Sequence, residues 1–176
     1  YVFERAAQTD PDYAEAWAFL AEARQQRGLD GKEQISRALR LEPDSTGVRA
    51  LAAAYYRRQH NPDQAISLLR QNIAAAPSES IWYLELGSVL AESGKMELAL
   101  DTYQQAIELY PENPDTFIAL ANFSAQYQYR IEDVGKPAAE NAISLAEDSA
   151  AAQDIYGVIL TALGETKKAD NAFSLA

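Results

Sequence analysis

The stretch that decides the fold runs from residue 82 to residue 111 and reads WYLELGSVLAESGKMELALDTYQQAIELYP. Its first half sets a large residue beside a small one at Leu86-Gly87, which suits a helix whose backbone must approach a neighbour. Its second half places Tyr103 and Ala106 three residues apart on one helical face. Gly94 lies between the halves, where a left-handed residue would end the first helix. The stretch therefore predicts two helices joined by a short turn.

This pattern recurs along the whole chain in two columns of residues that keep step with each other. Small residues recur at intervals of 32, 34, 34, 36 and 34, at Ala6, Ala38, Asn72, Ala106, Ala142 and Ala176. A mostly bulky column lies three positions earlier, at Phe3, Ile35, Leu69, Tyr103, Ala139 and Phe173. A fixed period of this length is typical of repeat proteins, in which each unit buries its apolar face on its neighbours.

Residues with clear stereochemical preferences separate the predicted helices. Three pairs place a capping side chain before a proline whose fixed φ suits the first helical position, so we expect helices to start at Asp10-Pro11, Asn61-Pro62 and Asn113-Pro114. Glycines follow the first helix of three units, so we expect those helices to stop at Gly28, Gly94 and Gly164. No segment alternates apolar and polar residues long enough to predict a β-strand.

The chain resembles the tetratricopeptide repeat family, whose unit is a helix–turn–helix of about 34 residues. The third unit matches best, at Trp82-Tyr83, Leu86-Gly87, Leu90, Gly94, Ala99, Tyr103, Ala106 and Pro111. The resemblance implies an all-α fold of about eleven helices, an α-solenoid superhelix of stacked tetratricopeptide helix–turn–helix repeats. We expect a single array over residues 1–176, with the second helix of a truncated unit at 1–10 and further units at 11–43, 44–77, 78–111, 112–148 and, truncated, 149–176.

Departures from the 34-residue period mark irregular units. The first unit is two residues short in the turn near Gly28–Gly31, and the fourth is two residues long within Tyr127–Pro137. Arg49 occupies a position where the family favours a large aromatic residue, so the pattern predicts the packing of its helix pair less well than that of the other pairs. Neither end carries a polar capping helix, which favours a fragment of a longer protein.

Composition argues against several classes of function. The 26 acidic and 15 basic residues give a net charge of -11, which disfavours nucleic acid and anionic membranes as partners. The chain has no cysteine, and it contains no phosphate-binding, nucleophile-elbow or zinc-protease motif. Its one histidine, His60, falls in a predicted turn without a second ligand. We therefore expect no catalytic residue, no cofactor and no metal site, and we predict that the chain is not an enzyme.

The resemblance implies that the first helices of the units line a concave groove that takes up extended or helical segments of a partner protein. The groove positions expected to contact a partner are Glu22, Gln26, Ala54, Arg57, Arg58, Leu84, Ser88, Ile118, Asn122, Asp154 and Val158. One subgroup of the family clamps a partner's C-terminal carboxylates with Lys and Asn side chains, but Ala18, Glu22 and Leu51 occupy those positions here. Arg57 and Arg58 either receive an acidic group or form a solvated helix end.

Charge is unevenly distributed along the chain. Residues 1–76 hold ten basic and ten acidic side chains, whereas residues 77–176 hold five and sixteen. The acidic part either attracts a basic or amphipathic partner segment or serves only to keep the protein in solution.

The sequence thus predicts a protein–protein interaction scaffold without catalytic activity. One alternative is a structural spacer that self-associates end to end through the uncapped faces around Phe3 and Phe173. Another is a regulatory segment of a larger multidomain protein. The sequence does not fix the compartment: the cytoplasm is slightly favoured, and the parent chain could be exported.

Overall fold

The computed structural model describes residues 2–175, so Tyr1 and Ala176, the last predicted member of the small-residue column, lie outside the described residues. Within them the chain forms eleven α-helices, one π-helical turn and no β-strand. The first six helices are α1 (Val2–Thr9), α2 (Ala14–Gln26), α3 (Lys32–Leu41), α4 (Thr46–Arg58), α5 (Pro62–Ala75) and α6 (Ser80–Glu92). The others are α7 (Met96–Leu109), α8 (Pro114–Gln126), α9 (Lys136–Leu145), α10 (Ala150–Ala162) and α11 (Thr166–Leu175), with the π-helical turn Ile131–Gly135 before α9. The predicted all-α class is confirmed.

The chain divides into two compact units, unit 1 at Tyr1–Trp82 and unit 2 at Tyr83–Ala176. In unit 1, α2 packs against α1, α3 and α4, and α4 packs against α5. In unit 2, α8 packs against α7, α9 and α10, and α10 packs against α9 and α11. Consecutive helices therefore form hairpins in each unit, and the first helices of successive hairpins also touch at α2–α4 in unit 1 and at α8–α10 in unit 2.

The two predicted columns form much of the core of each unit. Their buried members are Ala38, Asn72, Ala106 and Ala142 in the small column and Ile35, Leu69, Tyr103 and Ala139 in the bulky one. Full burial of a large apolar side chain contributes about 1.5–3 kcal/mol to stability. Ala6 is only half-buried, and Ala7 is buried in its place. Phe3 and Phe173 lie on the outermost described helices, and both remain exposed.

Two glycines allow a ring to pack directly on a helix backbone in unit 2. A Cβ atom on Gly87 of α6 would lie 2.8 Å from the ring of Tyr103, and one on Gly157 of α10 would lie 2.6 Å from the ring of Phe173. Both distances are well below the separation of about 3.5–4.0 Å at which carbon atoms attract. The expected close approach at the Leu86-Gly87 pair is therefore present.

Most of the predicted helix boundaries are confirmed. Gly28, Gly94 and Gly164 have φ values of +71°, +74° and +77°, the left-handed conformation that ends a helix. The side-chain oxygens of Asn61 and Asn113 each accept a hydrogen bond from a backbone N–H in the first turn of the helix that follows, and a proline occupies the next position.

The helix predicted to start at Asp10-Pro11 begins later, at Ala14, so that prediction is wrong. The carbonyl oxygen of Pro11 accepts hydrogen bonds from Nε1 of Trp17 at 3.0 Å and from Nη2 of Arg37 at 3.1 Å. The guanidinium of Arg37 also lies 4.2 Å from the centre of the Trp17 ring. Because these side chains occupy the carbonyl, the segment stays in a turn instead of forming the first turn of α2.

The two extra residues of the fourth unit form an irregular connection between α8 and α9. Gln128 and Arg130 both adopt a left-handed φ of 51°, and the π-helical turn Ile131–Gly135 follows them. The hydroxyl of Tyr129, between the two left-handed residues, donates a hydrogen bond to Glu97 on α7. This hydrogen bond therefore joins the irregular connection to α7.

Candidate partner-binding faces

The predicted groove residues all lie on the first helices of the hairpins, outside the core. They are distributed over α2 (Glu22, Gln26), α4 (Ala54, Arg57, Arg58), α6 (Leu84, Ser88), α8 (Ile118, Asn122) and α10 (Asp154, Val158). Each is half-buried or exposed, whereas other sides of the same helices are buried. The residues on α2 and α4 belong to unit 1 and the others to unit 2, so each unit presents a candidate face of its own.

Two contacts between α2 and α4 bridge the face of unit 1. Nη2 of Arg58 lies 2.9 Å from Oε1 of Glu22, and the side-chain amide of Gln25 donates a hydrogen bond to the carbonyl oxygen of Tyr55 at 3.1 Å. Both members of the ion pair are partly exposed, so the pair contributes only about 0–1 kcal/mol. Its main effect is to hold the Arg58 side chain over the face, next to α2. The sequence had left open whether Arg58 receives an acidic group or forms a solvated helix end.

A surface cavity of about 330 Å³ adjoins this ion pair at the C-terminal ends of α2 and α4. Its lining residues are Gln25, Gly28, Leu29, Asp30, Arg58 and Gln59. The hydroxyl of Tyr55 donates a hydrogen bond to Asp30 at 3.0 Å, and burial, followed by this bond, raises the pKa of Tyr55 to about 12. The backbone N–H of Lys32 and then the Tyr55 hydroxyl lower the pKa of Asp30. The lining of the cavity therefore includes both a hydrogen-bonded carboxylate, on Asp30, and the Arg58 side chain.

The face of unit 2 is open where α8 and α10 pack against each other. Ile118 and Asn122 lie one turn apart on α8, and Asp154 and Val158 lie one turn apart on α10. Val158 is 44% exposed although it is aliphatic, and Ile118 is half-buried. The buried residues of α10, such as Ile159, lie on another side of the helix. The four face residues are therefore available for contacts that the core does not need.

The remaining predicted residues contribute less to a common face. Leu84 and Ser88 lie one turn apart on α6, with the same four-residue spacing as the pairs on α8 and α10. Both are half-buried. Gln26 lies exposed at the last position of α2. Arg57 is half-buried near the end of α4.

The face of unit 2 is also negatively charged. Neither α8 nor α10 contains Lys, Arg or His, and their carboxylates, on Asp115 and Asp154, are exposed. In the part of the chain that the structure describes, neither carboxylate takes part in an ion pair or a side-chain hydrogen bond. Elsewhere in unit 2, Lys136 and Lys168 both pair with Glu165, at 2.7 and 2.5 Å. These two lysines, Lys136 first, lower the pKa of Glu165 to about 2.

The two ends predicted to self-associate are partly covered within the chain. The ring of Phe3 on α1 stacks on that of Phe19 on α2 with the centroids 5.3 Å apart. The ring of Phe173 on α11 packs on Gly157 of α10. Phe3 nevertheless remains 40% exposed and Phe173 44% exposed, so each end keeps apolar surface.

Signs of a metal or membrane site are missing from residues 2–175. No group of three His, Cys, Asp or Glu side chains in that range could hold a metal ion. His60 lies exposed in the turn after α4, with a left-handed φ of 53°. None of the helices described is both long and apolar enough to traverse a bilayer.

Comparison with known proteins connects this fold to a family. Residues 50–114 match the family model of the tetratricopeptide repeat. The interferon-induced protein with tetratricopeptide repeats 2 of Cricetulus griseus is 39% identical over 57 residues. The matched segment is 32% of this chain and only 12% of that protein's length.

Solved structures extend the likeness to nearly the whole chain. PilW, described as a widely conserved type IV pilus biogenesis factor, has a TM-score of 0.75 at 23% identity, over 97% of this chain and 79% of PilW. A chain of MamA from Desulfovibrio magneticus RS-1, from residue 41 to its end, has a TM-score of 0.65 at 15% identity, over 92% of this chain and 91% of that chain. YrrB is described as a TPR protein with an unusual peptide-binding site. It has a TM-score of 0.59 at 17% identity, over 99% of this chain and 92% of the YrrB chain. The chain thus contains a tetratricopeptide repeat segment at residues 50–114, and nearly its whole length shares the fold of these solved proteins.

Proposed function

We propose that this chain is a non-catalytic interaction module that binds a peptide or helical segment of a partner protein on the α8–α10 face of unit 2. The observation that carries the proposal is the exposed apolar side chain of Val158 on α10, next to the helix that carries Ile118. Apolar surface that the core does not use gains free energy when a bound segment covers it, about 25 cal/mol per Å². Asn122 and Asp154 add polar groups that can fix the register of the segment.

Two facts about related proteins support the proposal. The tetratricopeptide repeat fold is typical of scaffolds for protein–protein interaction, which generally have no catalytic activity of their own. YrrB, which shares the fold, is described as having a peptide-binding site. The proposal places the corresponding activity of this chain on a face whose residues are named above.

The charge of unit 2 indicates the chemistry of the partner segment. Residues 83–176 hold five basic and fifteen acidic side chains, and Asp115 and Asp154 lie on the face itself. A segment with Lys or Arg one helical turn from an apolar residue would pair with Asp154 while its apolar side chain covers Val158. We infer a basic, amphipathic partner segment. Its affinity should fall as salt rises, because ions screen exposed charges over about 8 Å at physiological ionic strength.

The test uses short random peptides displayed on phage and selected on the purified chain. We expect the selected peptides to be enriched in Lys and Arg spaced three or four positions from Leu, Ile, Val or Phe. Fluorescence polarisation with one labelled peptide then compares variants of the chain. Val158→Asp should weaken binding about tenfold or more, because it buries a carboxylate against the apolar side chain of the peptide. Asp154→Lys should weaken binding and reduce its dependence on salt.

The matched control is Leu145→Asp on α9, because Leu145 is 41% exposed and close to Val158 in exposure. It should bind the peptide as the unmodified chain does, and both variants should keep their helical circular dichroism. Full binding by Val158→Asp, or an equal loss with Leu145→Asp, would exclude the α8–α10 face. Selection of acidic peptides would contradict the inferred charge of the partner.

We propose self-association as a second candidate function, on the strength of the exposed rings of Phe3 and Phe173 at opposite ends of the chain. Sedimentation velocity over a range of protein concentrations should then show the mean mass rising with concentration. Phe173→Ser should reduce that rise, because it removes apolar area from one end. A monomer at every concentration would rule this candidate out and leave the peptide-binding proposal untouched.

A further inference from the structure

Two buried polar side chains distinguish the α4–α5 hairpin from its neighbours. Asn72 on α5 is fully buried, and Arg49 on α4 is 7% exposed. The positions equivalent to Asn72 hold Ala38, Ala106 and Ala142, and those equivalent to Arg49 hold Trp17, Tyr83, Phe117 and Gln153. In the α4–α5 hairpin, the side-chain amide of Asn72 therefore occupies a position that holds alanine in the other hairpins. The guanidinium of Arg49 occupies a position that is aromatic in most of them.

Neither of these side chains has all its hydrogen bonds. Nδ2 of Asn72 donates to the carbonyl oxygen of Thr46 at 2.9 Å, but its Oδ1 is buried without a partner. Nη2 of Arg49 lies 2.7 Å from Oδ1 of Asp44, but its Nε is buried without a partner. Two other buried side-chain atoms lack a hydrogen bond, Oε1 of Gln25 on α2 and Nε1 of Trp82 on α6, and none does among residues 83–175. The α4–α5 hairpin therefore holds two such atoms, whereas α2 and α6 hold one each. Such atoms raise the free energy of the closed hairpin, because water satisfies them once it opens.

The counter-ion of Arg49 lies at the surface of unit 1. The side chain of Asp44 is 96% exposed, whereas that of Arg49 is 9% exposed. Breaking the pair costs Asp44 little, because water already solvates its carboxylate. Arg49 cannot remain in the interior without a negative partner, because a buried unpaired charge is strongly unfavourable. Loss of the ion pair therefore favours movement of α4 out of its packed position.

We propose that the α4–α5 hairpin is a conformational latch, closed by the Asp44–Arg49 ion pair, that opens ahead of the rest of unit 1 and of unit 2. Repeat proteins permit such local opening, because each hairpin is stabilised by itself and by its immediate neighbours. The latch regulates the face of unit 1, because α4 carries Ala54 and Arg58 and its opening separates Arg58 from Glu22. A ligand that needs this face binds only the closed form. Its apparent affinity therefore falls when a larger fraction of the hairpin is open.

Hydrogen exchange measured by mass spectrometry on the whole chain tests the latch. Amides of α4 and α5 should exchange about tenfold faster than those of α8 and α10. Asp44→Asn removes the charge that holds Arg49, so it should accelerate exchange in α4 and α5 by about another tenfold and leave unit 2 unchanged. The matched control is Asp12→Asn, which changes another exposed carboxylate of unit 1 and should leave exchange in α4 and α5 unaltered.

A double variant tests the proposal in the opposite direction. Arg49→Tyr with Asn72→Ala installs residue types that unit 2 uses at the equivalent positions, so exchange in α4 and α5 should slow to about the rate of α8 and α10. This result decides the matter even if Asp44→Asn does not fold. Equal protection of the two hairpins in the unmodified chain, uniform acceleration by Asp44→Asn, or faster exchange in the double variant would each overturn the latch.

Discussion

Replacing Gly87 by alanine should destabilise unit 2 even though alanine is the better helix former. In an unobstructed helix this change stabilises by about 1 kcal/mol. Here the added Cβ would lie 2.8, 2.9 and 3.0 Å from three atoms of the Tyr103 ring. Since carbon atoms prefer a separation of about 3.5–4.0 Å, either the ring or the α6 backbone must shift by about 1 Å.

The ring of Tyr103 has little freedom to make that shift. Tyr103 is buried, and its ring centroid lies 5.4 Å from that of Phe123, so movement of one ring disturbs the other. Overpacking of a filled core costs about 1–3 kcal/mol. After the helical gain is subtracted, Gly87→Ala should lower the free energy of unfolding by about 1 kcal/mol. For a chain of this size the melting temperature should fall by about 2–4 °C.

The matched variant for this measurement is Gly157→Ala, which also places a Cβ against a ring. That Cβ would lie 2.6 Å from the ring of Phe173, but Phe173 is exposed on α11 and can rotate into solvent. Gly157→Ala should therefore leave the melting temperature unchanged or raise it slightly. Thermal unfolding followed by circular dichroism measures both variants. A higher melting temperature for Gly87→Ala, or equal losses for the two, would refute the idea that the buried ring is the obstacle.

Folding lowers the pKa of Glu165 from the ordinary 4.5 to about 2. Its ionised carboxylate should therefore stabilise the fold above the pKa of the unfolded chain, and this stability should be lost as the pH falls through the pKa of the folded chain. Thermal unfolding between about pH 5 and pH 2 should therefore depend less on pH for Glu165→Gln than for the unmodified chain. Asn113→Ala removes the cap that accepts a hydrogen bond from the Asp115 N–H at 3.0 Å, and should cost about 1 kcal/mol in urea unfolding, whereas Gln104→Ala should cost almost nothing. Ultraviolet titration should show one phenol ionising at about pH 12 that is missing from Tyr55→Phe.

Helix boundaries could be predicted wherever a single residue's stereochemistry sets them. Gly94 ends its helix because glycine adopts a positive φ without strain, and Asn61 starts one because its side chain caps a free N–H. The start of α2 could not be predicted in this way. It depends on Trp17 and Arg37, which reach the Pro11 carbonyl only after α2 and α3 have packed together.

The exposure of the candidate face residues could be predicted from the sequence, but their contacts could not. Helical periodicity places Asp154 and Val158 on one side of α10, and the structure leaves both of them exposed there. The ion pair between Glu22 and Arg58 joins residues far apart in sequence, so it depends on how α2 meets α4. The cavity beside Arg58 was missed for the same reason, since its lining comes from two separate turns.

The core and the proposed partner-binding face use different columns of the repeat, so a substitution in one column need not affect the other. Equivalent face positions on four successive first helices hold Ala50, Leu84, Ile118 and Asp154. Surface substitutions usually change stability by less than about 0.5 kcal/mol, so such positions can vary in chemistry at little cost to the fold. A polar residue in a core column, such as Asn72, instead lowers the stability of its own hairpin. Val158→Asp should therefore change peptide binding without changing hydrogen exchange in α4 and α5, and Asn72→Ala should do the reverse.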